Sequence, residues 1–316
     1  MIRRGNIYIL CVLLNQLLVM STVAVFHSQI SGSPYGTAGF MAIVQLFCFV
    51  PPLLIYGLVV KPKSLLSFKA IGFINVMLVI FMCFAIQPAM LVLSAISMIF
   101  FENPVSDMLS SLSSAPLSVT LFIMAAMPAL LEEITMRGVV LRNYEGLPIK
   151  KAAIANGVLF GILHLNPQQF LYAMMLGVIF SYFAHYTESL WAPILGHFTI
   201  NSTQIIMGTA SAQTAEAMPN EYQAMLESQT AGELISAGIF LVVLNLVFLP
   251  VFFILFRLFI DYNKRRVVHA KASTETEIED SETATKISPG QSSARVVDSA
   301  FIMVILFYLF FLFFIS

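Results

Sequence analysis

Apolar runs about as long as a membrane-spanning helix recur along the whole chain, and this recurrence limits the fold before any motif is read. They cover about Ile7 to Phe26, Ala38 to Val60, Ala70 to Phe101, Leu117 to Arg142, Lys150 to His164, Gln169 to Tyr186, Ser189 to Met207, Glu233 to Ile260 and Val296 to Ile315. In lipid every backbone N–H and C=O must be satisfied internally, so continuous runs of this kind become helices. Composition agrees: the 316 residues are 59 % hydrophobic and 10 % charged, with mean hydropathy +0.88. The expected fold is an all-α, polytopic transmembrane bundle of about eight or nine spans, the last one short. The first run is long for the apolar region of a signal peptide, so it is expected to be a retained helix. A net charge of −1 and the lack of a basic stripe argue against a nucleic-acid partner. Cys11, Cys48 and Cys83 lie inside apolar runs without metal-like spacing and read as small buried hydrophobes.

Lysine and arginine set the expected orientation. With a cytoplasmic N-terminus and nine alternating spans, Lys61, Lys63, Lys69, Arg142, Lys150, Lys151, Lys264, Arg265, Arg266, Lys271, Lys286 and Arg295 all fall on the cytoplasmic side. The loops left outside, 27–37, 102–115, 164–168 and 209–230, hold neither residue type. The chain then divides into N-terminal spans over 1–116 and a core over 117–207. An acidic external loop (Glu216, Glu221, Glu227) with the eighth span covers 208–263. A Ser-, Thr- and charge-rich segment over 264–299 has the composition of disorder, and a short apolar span over 300–316 follows. The plasma membrane is the expected location.

Charge inside the apolar runs is concentrated in one place. The stretch Pro128-Ala-Leu-Leu-Glu-Glu-Ile-Thr-Met-Arg-Gly-Val-Val-Leu141 carries Glu132, Glu133 and Arg137. A charge at the centre of a span costs about 2.5–3.5 kcal/mol on insertion scales, so such residues are usually functional. Glu133 and Arg137 are i and i+4 with the acid first, the favourable order for a pair. Glu132 lies about 100° round the helix and is poorly placed to join them. One acid is therefore expected to be held and the other to be free for chemistry.

Three more polar side chains interrupt later spans. His164 closes a run that has Phe160 one turn earlier, and His197 and Asn201 share one face of the seventh span. At the helical rise, Glu132 and Glu133 lie roughly 16–18 Å, His197 roughly 12 Å and His164 roughly 20 Å from the cytoplasmic ends of their helices, so all four fit a common depth. Gly157 and Gly161 form a GxxxG that brings helices close, and Gly196 adjoins His197. A glutamate in a dry site suits a general base, a histidine relays the proton, and His with Asn can donate to an oxyanion. Alternatively Glu132, His164 and His197 are ligands for a divalent metal such as Zn²⁺, which would activate the water. No His-Glu-x-x-His occurs.

Glu132-Glu133-x-x-x-Arg137, Phe160-x-x-x-His164 and His197-x-x-x-Asn201, in this order on separate spans, resemble the three-motif signature of the CAAX-processing and bacteriocin-processing (CPBP, or Abi) intramembrane proteases. The resemblance covers about Leu117 to Met207. It implies Glu132 as the water-activating acid, His164 as its partner, and His197 with Asn201 at the oxyanion, supported by Glu133, Arg137 and Phe160. It implies an endopeptidase acting on a membrane-embedded or lipidated protein or peptide. Members are often called metalloproteases, and a metal-free glutamate mechanism has also been argued; Asn201 favours the latter, because an amide is a poor zinc ligand. Two other classes compete: a proton-coupled transporter, against which stands the lack of an internal repeat, and a non-catalytic immunity or scaffold membrane protein, which would not need all four polar residues.

Overall fold

A computed structural model describes residues 1–30, 34–60, 67–113, 115–217, 231–278 and 296–314. Among these residues the chain is all helical, with no strand. The helices are α1 (Ile2–Ile30), α2 (Pro34–Val60), α3 (Phe73–Met98), the short α4 (Pro104–Ser111), α5 (Leu117–Leu141), α6 (Ile149–Leu163), α7 (Pro167–Thr187), α8 (Trp191–Ala217), α9 (Ala231–Ile278) and α10 (Ser299–Phe314). Six stretches, Ile2–Val23, Gly36–Val60, Phe73–Met98, Leu117–Leu141, Pro167–Thr187 and Ile235–Arg266, are long and apolar enough to cross a bilayer. The molecule is an integral, multi-pass membrane protein. With 15 residues, α6 is about 22 Å long, short of a hydrocarbon core of about 30 Å. By contrast α8 is long, but Thr199, Asn201, Ser202, Thr203 and Gln204 dilute its apolar character.

Several boundaries differ from those read in the sequence. The stretch expected as a loop over 102–115 contains α4. The long run from Ala70 forms one helix that starts after Gly72, held at φ 77, and passes through Pro88. The Ser-, Thr- and charge-rich segment begins as helix, since α9 continues to Ile278; residues 279–295 lie outside the described residues. Likewise α8 carries Glu216, while Glu221 and Glu227 lie outside the described residues. Cys48 and Cys83 are buried as expected, but Cys11 is exposed on α1.

The apolar faces assemble into two large clusters. One joins α1, α2, α6, α10 and the end of α5 through Ile9, Leu13, Met136, Val140, Leu159 and Val304. The other joins α3, α7, α8 and α9 through Val79, Met82, Phe180, Phe183, Ile200 and Phe259. The two halves meet where α6 crosses α7. A Cβ on Gly157 would lie 2.7 Å from Met174 O, one on Gly161 2.9 Å from Phe170 O, and one on Gly177 2.7 Å from the Gly157 Cα. The GxxxG is thus a packing device, and it brings backbones together where larger side chains would hold them apart.

Candidate active site

The motif helix α5 departs from regular α-helix at two places. Phe122–Ala126 and Ile134–Leu141 are π-helical, and the two acids lie between them, in the α-helical turn Met127–Glu133. Proline is one cause. Pro128 has no N–H to offer to Met124 O four residues back or to Ile123 O five residues back. Other helices supply the missing donors: Gln45 Nε2 of α2 donates to Ile123 O at 2.9 Å, and Asn201 Nδ2 of α8 donates to Met124 O at 3.2 Å. The same device serves α2, where Pro51 and Pro52 leave Phe47 O and Cys48 O without their helical donors. Asn15 Nδ2 donates to both, at 2.8 and 3.0 Å.

Glu133 is fully buried and engaged. Its Oε1 accepts Arg137 Nη1 at 2.8 Å and faces His197 Nδ1 at 3.0 Å. Arg137 Nη2 donates to Gly177 O at 2.9 Å, so the guanidinium ties α5 to α7. The Arg137 Cζ lies 4.6 Å from the Phe160 ring centroid and 5.5 Å from that of Phe180, flat aromatic faces that suit a desolvated cation. The His197 ring sits against the same two rings, stacked on Phe180 and edge-on to Phe160. An ionised carboxylate only accepts, so the Glu133 bond is made by Nδ1–H of His197 and leaves Nε2 as its other ring nitrogen.

Glu132 is half-buried and turned elsewhere. Its Oε2 is enclosed without a hydrogen-bond partner, and it lines a cavity of about 380 Å³ together with His164, His197 and Asn201. The four residues singled out by their chemistry are therefore brought to one place. His164 ends α6, and its Nδ1 is 2.8 Å from Phe160 O; the acceptor is a carbonyl, so Nδ1–H donates. Leu165 follows in a left-handed conformation at φ 47, after which Asn166 Oδ1 caps α7 through Gln168 N at 2.9 Å. This sharp turn holds the imidazole at the cavity wall. The rest of the lining includes Met20, Met90, Met108 and Met124, an adaptable surface for aliphatic groups, interrupted by Gln16, Gln45, Gln169 and Gln204.

Nδ1 of His164 and of His197 is engaged and Nε2 of each is left, but among the described residues no three His, Cys, Asp or Glu side chains are grouped as a metal site requires.

Residues 114–203 match the family model of Rce1-like type II CAAX prenyl endopeptidases. This segment holds all three motifs and agrees with the intramembrane-protease resemblance of the sequence. Protease activity within a membrane, on a membrane-associated peptide, is what the match implies. No curated protein and no solved structure matches the chain.

Several residues at the site were not singled out in the sequence. Gln45 lines the cavity, and Asn156 of α6, fully buried, donates to Met136 O of α5 at 2.9 Å and accepts Ser181 Oγ of α7 at 3.1 Å. Each is a polar residue in an apolar helix, the same signal that exposed Glu132.

Proposed function

We propose that this protein is an intramembrane endopeptidase that uses Glu132 to activate water without a metal ion. The observation that carries the reading is the contrast between adjacent acids: Glu133 holds Arg137 and His197 on one oxygen, keeps the other buried without a partner and does not line the cavity, while Glu132 presents a buried, unpartnered oxygen to it. In the proposed reaction Glu132 takes a proton as the water oxygen adds to the scissile carbonyl carbon. The carbonyl oxygen becomes an oxyanion that accepts a hydrogen bond from the second amide proton of Asn201 and, when His197 carries a proton on Nε2 as well as on Nδ1, one from that imidazolium. Collapse breaks the C–N bond, and the amine leaves with the proton held by Glu132, passed through His164. Glu133 orients His197 as the carboxylate of a triad orients its imidazole.

We further propose eight or nine crossings, with α6 and α8 spanning alongside the six clearly apolar helices and the short α10 as the ninth, a cytoplasmic N-terminus, and a plasma-membrane location. The substrate is a membrane-embedded or lipidated peptide, either a prenylated C-terminal tail or a leader peptide. The test is purified protein in liposomes with an internally quenched, farnesylated CAAX-type peptide and an unprenylated leader-type peptide of equal length. Cleavage of one of them is expected, lost in Glu132→Gln and retained after exhaustive chelation. Stoichiometric zinc that leaves in step with activity overturns the metal-free mechanism; cleavage by Glu132→Gln at the wild-type rate overturns the assignment of the acid.

A further inference from the structure

The cavity holds acceptors that the proposed chemistry does not use. Gln45 reaches it from α2, outside the segment 114–203 that matches a family model. Which end of its amide points where is fixed by chemistry: Nε2 faces Ile123 O at 2.9 Å, and a carbonyl requires a donor there. The oxygen is therefore the free end. Gln45 Oε1 is buried and has no partner. Gln16 of α1 lines the same cavity, and its Oε1 is also buried and unpartnered. With Glu132 Oε2, three unsatisfied acceptors surround one space. Buried polar groups are almost always paired, so such a set calls for a ligand rich in donors. An extended peptide is one, since every residue except proline offers a backbone N–H.

We infer that Gln45 is a substrate-binding residue whose Oε1 accepts a backbone N–H of the peptide next to the scissile bond. The inference rests on the proteolytic reading and deepens it. One side chain does two tasks: its Nε2 holds the π-helical turn just before the Glu132 helix turn, and its Oε1 registers the substrate against that turn. The distance between the bound strand and Glu132 is then set by the length of one glutamine. The four methionines in the walls leave the fit of substrate side chains loosely specified, while the backbone contact fixes which bond meets the acid.

The experiment replaces N–H by O in the substrate. A series of the quenched, farnesylated peptide is made with an ester at each position flanking, but not at, the scissile bond. Wild-type protein should show one ester position with KM raised about fivefold, the usual effect of losing one neutral hydrogen bond, and kcat little changed. In Gln45→Leu the all-amide peptide should show that raised KM, and the ester at that position should add nothing. Gln45→Asn, which keeps the amide but shortens it, serves if the leucine variant does not purify folded. Binding of the same series to Glu132→Gln, followed by fluorescence anisotropy, reads the contact without turnover. A flat wild-type ester profile, or an unchanged ester effect in the Gln45 variants, overturns the inference. Ester-sensitive binding without any cleavage by wild type retains Gln45 as a peptide contact and overturns the proteolytic reading instead.

Discussion

Glu132 and Glu133 are identical in chemistry and differ by about 100° of helix rotation, and that difference separates their environments. Glu133 turns to the dry side, with Arg137 and His197 on one oxygen; neither acid nor guanidinium has an exposed side chain. Removing one member of such a buried pair leaves an uncompensated charge, which typically costs about 3–5 kcal/mol. Glu133→Gln is therefore expected to lower the melting temperature in detergent sharply, together with activity. Glu132→Gln should melt near wild type and be inactive, because its Oε2 has no protein partner to lose. Equal loss of melting temperature in the two variants defeats this division of labour. The Glu133–Arg137 pair was legible because i and i+4 positions face each other on any helix. The His197–Glu133 bond was not: periodicity relates residues within one helix, and it had grouped His197 with Asn201 alone. Nothing in a single sequence states which acid of an adjacent pair an imidazole on another helix will reach.

At the level of elements, the spans were legible because lipid demands long apolar helices, and their internal irregularities were not. The π-helical turns of α5 depend on donors brought by α2 and α8, which adjoin α5 only in the folded bundle. Pro128 was visible in the sequence, but its consequence is set by those partners. The α6–α7 crossing makes an independent prediction. A Cβ on Gly177 would lie 2.7 Å from the Gly157 Cα and 2.9 Å from the Phe160 Cβ, and Phe160 lies under Arg137. Backbone cannot yield as a flexible side chain does, so Gly177→Ala should push α6 from α7 and displace the aromatic floor of the site. Lower melting temperature and at least tenfold lower turnover are expected, since a misplacement near 1 Å can cost far more than that. Gly57→Ala is the control. Nothing lies within 4 Å of its Cβ, and alanine favours a helix by about 0.5–1 kcal/mol over glycine, so stability should hold or rise. Matching losses in both variants would mean that helix propensity, not the crossing, governs this protein.

Across the whole molecule, contacts between chain ends sort the helix termini into two sets. In the first, Asn6 meets Asp298 at 3.0 Å and Tyr144 at 2.5 Å, so the start of α1, the segment after α5 and the start of α10 share one end of the bundle. Asn75 and Asn263 exchange amide hydrogen bonds at 3.0 and 2.8 Å, and Lys69 pairs with Glu188, joining the start of α3, the end of the apolar stretch Ile235–Arg266 of α9 and the α7–α8 turn. At the opposite end Gln168 meets Ser94 at 2.8 Å, and Gly208 packs on Leu109. Alternating crossings by the nine helices other than α4, as proposed, would produce these pairings, and would group Lys69, Arg142, Lys150, Lys151 and Lys264 on the side of the first set. Were α6 or α8 to lie on the surface instead of crossing, Gln168 or Gly208 would change sides and lose its partner. The proposed orientation then rests on the distribution of lysine and arginine, by which the first set is expected to be cytoplasmic. Single cysteines at Ser211, exposed on α8, and at Ser273, on α9, test this with a membrane-impermeant maleimide on intact cells, in a variant lacking Cys11, Cys48 and Cys83. Ser211→Cys should label from outside, and Ser273→Cys only after the membrane is opened. Labelling of Ser273→Cys alone from outside would invert the protein, and labelling of both would mean that α9 does not cross.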